Sequence, residues 1–453
     1  MQKHEPSKIP TWLADKYHKV AVQALLAAGL PNGVDGVQAL LLIGQYHYLH
    51  PTLWVVWNTI GAAIRLAVEL RLHQDPPPGQ HDALALDIRR RTFWSAYAMD
   101  RNISIALGIP TCLSDGAINT AFPSEARDEC ITATGIATSQ EHMCASKALG
   151  FHLLRYRRIQ SEMQIALHEK PSPPFNSVNL EEWQSSMHDR IRSWYEETPA
   201  SNVTLSRINM TLVETFELTY HTALFYLYRP SPNILSPTGL QLTTMSQSAV
   251  KLIELYRRFF LERKLTIYWH AVEHLFSAGT SLMASYAQST HVRNSISFRS
   301  LESTVHLCSS VLWGMVERFP VFQGKRDEFD AVVSRMLPAI QTGTFIESSD
   351  LEGSSPSFRN YASGASVTSN TSTWALDSQQ FFEDIHTADV YLETISKNVE
   401  NAGQMSQFPA ELLTRRGESE ASKPALSQID GADLSMVWDA TANLNGTLPP
   451  MWL

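Results

Sequence analysis

Arg89-Arg90-Arg91-Thr92-Phe93-Trp94-Ser95-Ala96-Tyr97-Ala98-Met99-Asp100-Arg101, running on to Gly108-Ile109-Pro110, reads as one amphipathic helix with a basic first turn. Trp94, Tyr97, Ala98 and Ile105 recur at helical spacing, which predicts a helix from about Leu84 to Leu107. Asp87 precedes Arg91 by four residues, so the two opposite charges share a face one turn apart. Gly108 supplies a natural C-terminal cap, and Pro110 prevents continuation.

The same periodicity extends over most of the chain. It predicts helices over Leu13 to Ala28, Val34 to Leu49, Thr52 to Arg71, Ser139 to Glu169, Leu180 to Glu196, Ser206 to Tyr228, Leu240 to Leu261, Ile267 to Ala287 and Ser300 to Phe319. Strand-like alternation is almost absent, so these helices must bury their apolar stripes against one another. The expectation is an all-α fold, a large multi-helix domain over residues 1–340. In the Thr52 to Arg71 helix, Trp54 and Trp57 begin a face continued by Ile64 and Val68, while Gly61, Ala62 and Ala63 keep the adjoining surface thin. Such a helix suits the domain centre, where removing a fully buried Trp57 would cost about 3 to 5 kcal/mol.

Thirty-six lysines and arginines face forty-five acids, a formal charge of −9. A chain of that sign repels a polyphosphate as a whole, which disfavours direct nucleic-acid binding. No apolar run is long enough to span a bilayer, and Met1 to Ser7 lacks the plan of a secretory signal, so cytosol or nucleus is expected. Cys112, Cys130, Cys144 and Cys308 are far apart, with no Cys-x-x-Cys pair to grip zinc, and are expected as reduced, mostly buried thiols.

Upstream of the arginine-aromatic helix stand Val37-Gln38-Ala39-Leu40-Leu41-Leu42-Ile43-Gly44-Gln45-Tyr46, then Gly61 to Leu70, then Leu72-His73-Gln74-Asp75-Pro76. Downstream come Leu113-Ser114-Asp115, Ile118 and Phe122-Pro123. This order resembles the fungal-specific transcription factor domain, the helical regulatory region usually found after a binuclear zinc-cluster (Zn2Cys6) DNA-binding module. The resemblance is specific over Val37 to Pro123 and weaker to about Leu337. It marks Arg90, Arg91, Phe93, Trp94, Asp100, Arg101, Gly108 and Pro110 as signature residues with structural roles, Asp87 with Arg91 and Asp100 with Arg101 acting as polar struts.

Two positions depart from the family pattern. Arg71 stands where the family commonly has glycine, which suggests that its helix runs on toward Pro76-Pro77-Pro78. Ile109 replaces the arginine of a Gly-Arg-Pro step and removes a charged contact. The six-cysteine cluster is not seen before the helical region, so the expectation is either a fragment or a regulator without its own DNA reader. The resemblance implies a nuclear regulator of a metabolic or secondary-metabolite gene set. Its partners would be the transcription machinery or a DNA-binding partner regulator, as a homo- or heterodimer, with no membrane and no cofactor.

After Leu337 the texture changes. Residues 341–373 form a Ser/Gly-rich linker, and residues 374–453 intersperse acids with apolar groups around Trp374, Phe381, Phe382 and Trp438. Acids beside aromatics keep a peptide soluble while leaving its apolar groups to a coactivator groove, which fits an activation segment. A terminal helix docked on the domain fits the same composition.

Three further patterns invite chemistry. His270-Ala271-Val272-Glu273-His274 matches the His-x-x-Glu-His zinc-hydrolase spacing, the alternative enzymatic reading, but no third ligand is evident. A packed helix carrying Trp269, Leu275 and Phe276 accounts for the same residues. His47 with His50, and His73 with His81 around the prolines, are assigned no catalytic role. Arg89-Arg90-Arg91 and Arg155-Tyr156-Arg157-Arg158 are basic clusters that could meet an anion or an import receptor, yet short arginine runs on helices are usually solvated or paired. A non-transcriptional helical scaffold is the third possibility. No nucleophile elbow, phosphate loop or dinucleotide fingerprint is present.

Overall fold

The computed structural model describes residues 11–49, 53–137, 139–169, 179–198, 210–265 and 267–343. Twelve α-helices lie among them: α1 Thr11–Ala28, α2 Val34–Leu49, α3 Leu53–Glu69, α4 Ala83–Leu107, α5 Ala145–His168, α6 Leu180–Glu196, α7 Met210–Tyr228, α8 Gly239–Leu261, α9 Tyr268–Gln288, α10 Thr290–Ser295, α11 Phe298–Arg318 and α12 Gln323–Thr342. The fold is all-α. Its only β-strands among the described residues are β1, Ile131–Thr132, and β2, Gly135–Ile136, which pair antiparallel with Ile131 opposite Ile136.

Local chemistry sets the helix ends. Asp82 caps α4 by accepting from the Ala85 N–H at 2.7 Å, and Gly108 closes it in the left-handed region at φ 66°. Thr238 and Gln241 form a reciprocal capping box at the start of α8. The end of α3 departs from expectation. That helix stops at Glu69, and Arg71 takes the left-handed conformation, φ 54°, while the Leu72 N–H reaches the Ala67 carbonyl at 2.8 Å. The backbone stop that glycine would make at low cost is retained with arginine.

Other boundaries also differ. The helix expected from Ser139 begins at Ala145, after a short 3₁₀ turn at Gln140–His142. The whole of α12, and the short α10, are elements the periodicity had not marked out. Trp57 is half-buried, so its removal costs less than a fully buried site would; the buried face of α3 is instead Val56, Ile60, Ala63, Ile64 and Ala67. The side chain of Trp54 lies outside the described residues. Of the four cysteines, all free, only Cys308 is buried; Cys112 is exposed and Cys130 and Cys144 are half-buried.

Two apolar cores result. The first gathers α2, α3 and α4 around Val37, Leu40, Val56, Ile60, Phe93 and Tyr97. The second is built by α5 to α12 around Leu153, Ile191, Phe225, Leu252, Leu275 and Phe329. Leu154 of α5 and Trp269 of α9 belong to the first core although their helices serve the second, and Phe322 packs against both. No helix among the described residues is long and apolar enough to cross a membrane. The linker 341–373 beyond Gly343, and the segment with Trp374, Phe381, Phe382 and Trp438, lie outside the described residues.

Candidate functional site

The arginine run at the start of α4 turns inward. Arg89 donates to the Leu70 carbonyl at 2.9 Å. Arg90 grips Asp75 through two nitrogens, at 3.0 and 2.5 Å, and Arg91 bridges Asp87 at 2.5 Å and Asp128 at 2.7 Å. Lys147 of α5 shares Asp128 at 2.7 Å. Burial alone would raise the Asp75 carboxyl, but hydrogen bonds from Arg90, Thr120 and the Ala121 N–H outweigh it and hold the group below its ordinary value. Asp128 is likewise held low, Lys147 and Arg91 outweighing burial. These contacts tie α4 to the turn after α3 and to the segment before α5.

Nearly three helical turns further along α4, the polar groups are inside. Arg101 and Asp100 are completely buried, their charges 2.5 Å apart. Arg101 also donates to Ser161 Oγ at 3.1 Å, to the Leu113 carbonyl at 2.5 Å and to Asp115 at 3.0 Å, and its guanidinium lies 4.2 Å from the centre of the Tyr97 ring. Asp100 accepts from the Cys112 N–H at 3.2 Å. Every face of this charge pair meets a polar partner, the condition under which a buried ion pair is tolerated. Phe93 is fully buried, while Trp94 donates from Nε1 to the Ala121 carbonyl at 2.9 Å and stacks on Phe122 at 4.3 Å. Gly108 and Pro110 sit exposed at the helix end, and Ile109 is half-buried there.

A second polar layer lies where the two cores meet. Trp269 Nε1 donates to the Tyr48 carbonyl at 2.9 Å and its ring meets Tyr48 edge-on, joining α9 to α2. His270 and His274, one turn apart, bring their ring centres within 4.2 Å at a tilt of 53°, and Tyr256 Oη contacts His274 Nδ1 at 2.6 Å. Arg157 is buried nearby and donates to Gln160 Oε1 at 2.6 Å; Arg229, 8 % exposed, lies 5.1 Å from the Tyr226 ring centre. Burial, reinforced by Arg157 and Arg229, pushes the His274 imidazole down to about 3, and burial with His274 and Arg157 pushes His270 well below its ordinary value.

This geometry does not make a hydrolytic centre. Glu273 turns away to the half-exposed Lys325 at 3.4 Å, and His274 already uses Nδ1 on a tyrosine. No cluster of three His, Cys, Asp or Glu side chains among the described residues could hold a metal ion. His47 lies edge-on to His18, His73 is half-buried, His81 is exposed, and His50 lies outside the described residues. In the second basic cluster, Arg155 reaches Glu125 at 3.5 Å and Arg158 is exposed, whereas Arg157 is interior.

What the sequence did not show is which acids complete the struts and that Arg157 and Arg229 lie inside. Asp75, Asp115 and Asp128 stand 15, 14 and 37 residues from their arginines, beyond any helical spacing rule. Arg229 carried one signal: it follows Leu224-Phe225-Tyr226-Leu227-Tyr228, a run with no polar face.

Residues 5–228 match the fungal specific transcription factor domain. The chain is 25 % identical to the positive regulator of purine utilization of Emericella nidulans, over 73 % of this chain and 38 % of that protein. It is 26 % identical to pyrimidine pathway regulatory protein 1 of Saccharomyces cerevisiae, over 56 % and 29 % respectively. The transcriptional activator protein acu-15 of Neurospora crassa is 27 % identical over 53 % of this chain and 26 % of its own length. The chain thus spans between a quarter and two-fifths of these relatives. No solved structure matches it. All three relatives bear the names of regulators and none that of an enzyme, so the zinc-hydrolase alternative is not favoured. The arginine-aromatic helix and the loop after it fall within the matched span, and residues 5–228 of the chain belong to the fungal specific transcription factor domain family.

Proposed function

We propose that this chain regulates transcription of a pathway-specific set of metabolic genes, acting in the nucleus through its helical domain and a C-terminal activation segment. The helical domain ends near residue 340, residues 341–373 serve as the linker, and residues 374–453 meet the transcription machinery through Trp374, Phe381, Phe382 and Trp438. Promoter choice comes through a DNA-binding module or partner, because the described helical body has no surplus of basic groups to offer. The observation that carries this is the inward use of Arg89, Arg90 and Arg91, each bound to a carbonyl or carboxylate of the same chain. An arginine run committed in that way braces helices and leaves phosphate contacts to other parts. Names of the relatives, regulators of purine and pyrimidine pathways among them, support the metabolic assignment.

The test is a fusion of the whole chain to a neutral DNA-binding module in a fungal reporter strain. The expected result is a severalfold change in reporter output that is lost when residues 374–453 are removed. A silent reporter, with the fusion protein present in the nucleus, would overturn the proposal.

A further inference from the structure

A cleft of about 830 Å³ opens where α6, α7, α8 and the corner between α10 and α11 meet. Small-molecule sites commonly measure about 300 to 1,000 Å³. Leu224, Val250 and Ile296 supply its apolar surface. Around them the polar groups keep unused capacity of both kinds. Ser295 Oγ accepts from Gln247 Nε2 at 3.3 Å and Ser297 Oγ accepts from the Ser300 N–H at 3.2 Å, so both hydroxyls retain a proton to donate and Gln247 retains its carbonyl to accept.

α6 and α7 add one imidazole each, His188 and His221. His188 Nδ1 is engaged with Tyr228 Oη at 2.8 Å, and His221 Nδ1 is buried with no hydrogen-bond partner among the described residues. Burial, aided by Arg192 at His188 and by Lys251 at His221, holds both below the ordinary histidine value. Each ring is therefore neutral near pH 7 and has one donor and one acceptor nitrogen.

Charge decides the ligand class. The single lysine of the cleft, Lys251, is paired with Glu254 at 3.1 Å, which leaves no net charge to attract an anion or a cation. An apolar ligand would leave the hydroxyls, carboxamide and imidazoles facing it unmatched, a loss that rejects such molecules. We propose that this cleft binds a small uncharged metabolite bearing both hydrogen-bond donors and acceptors, of polyol or lactam-heterocycle type. Such a molecule would span His221 of α7, Gln247 of α8 and the Ser295–Ser297 corner, fixing three helices relative to one another. The inference deepens the regulatory reading, on which it rests, by giving the helical domain an effector site.

Titration calorimetry on the purified whole chain tests it, with D-glucose as the polyol probe, uracil as the lactam probe, and citrate and inorganic phosphate as anions. One uncharged probe is expected to bind at millimolar concentration or better, and the anions are not. Gln247→Ala and Ser295→Ala lie on exposed residues and should leave the melting temperature unchanged while each weakens binding about three- to tenfold. Binding of neither uncharged probe, tighter binding of an anion, or wild-type affinity in both variants would overturn the site. Because calorimetry needs no reporter, failed binding with an active reporter removes this site alone, and binding with a silent reporter removes the regulatory reading alone.

Discussion

Arg71 holds a φ of 54° on a side chain that gains nothing visible from it, being exposed at the end of α3. A left-handed non-glycine residue costs on the order of 1 to 2 kcal/mol, part of which glycine returns through its looser unfolded chain. Arg71→Gly should therefore raise stability by about 0.5 to 1 kcal/mol, read as a higher urea midpoint; a lower midpoint would mean that the arginine makes a stabilising contact. Arg101 sits at the opposite extreme, fully buried with four hydrogen-bonding partners. Arg101→Met should destabilise by about 3 to 5 kcal/mol, because Asp100 would remain as a buried charge without its cation. A loss below about 1 kcal/mol would show that the pair is dispensable. The pairing of Arg91 with Asp87 was readable from a four-residue spacing, but that of Arg90 with Asp75 was not, since only the turn between α3 and α4 brings those two together.

Helices were the most legible elements, and the misses have physical causes. In α12, Phe329, Val332, Met336 and Leu337 recur at helical spacing and are buried, yet the helix carries Lys325-Arg326-Asp327-Glu328 near its start and contains Pro338, both of which obscure the stripe. Its packing depends on a small residue elsewhere: a Cβ at Gly279 of α9 would lie 2.6 Å from the Phe329 ring and 3.3 Å from Cys308 Sγ. Gly279→Ala should thus cost about 1 to 3 kcal/mol through overpacking, measured by denaturant unfolding. An unchanged midpoint would mean that α12 shifts away freely. Trp57 gives the reverse lesson. Helical periodicity placed it on an apolar face, but the core lies against Ile60 and Ile64, and the tryptophan ends half-buried at the edge.

For the whole molecule, imidazoles shut inside the helical body make stability depend on pH: His274 in the layer between the cores, and His152 against Trp194 in the second core. Burial lowers the His152 imidazole to about 4 and the His274 imidazole to about 3, against an ordinary value of 6.5. Both are neutral in either state above pH 6.5; below it the unfolded chain takes up protons that the folded chain refuses, so stability falls as pH drops from 6.5 toward 4. Each histidine contributes up to about 1.4 kcal/mol per pH unit in that window. Asp75 and Asp128, held low, add their loss only below the ordinary carboxylate range. Urea midpoints measured at pH 7.5 and 5.0 should therefore fall sharply at the lower pH; equal midpoints would contradict the burial of these imidazoles.

The amino-acid order alone determined the all-α class, the course of α4 with its Gly108 stop, and the family resemblance, because helical spacing and capping are read within a few residues of chain. Tertiary structure decided which charges lie inside. Arg157 and Arg158 are neighbours in sequence, yet one is buried and the other exposed, and Glu273 leaves its two histidines for Lys325. Burial and charge pairing depend on helices that meet across long stretches of chain, so no local pattern contains them.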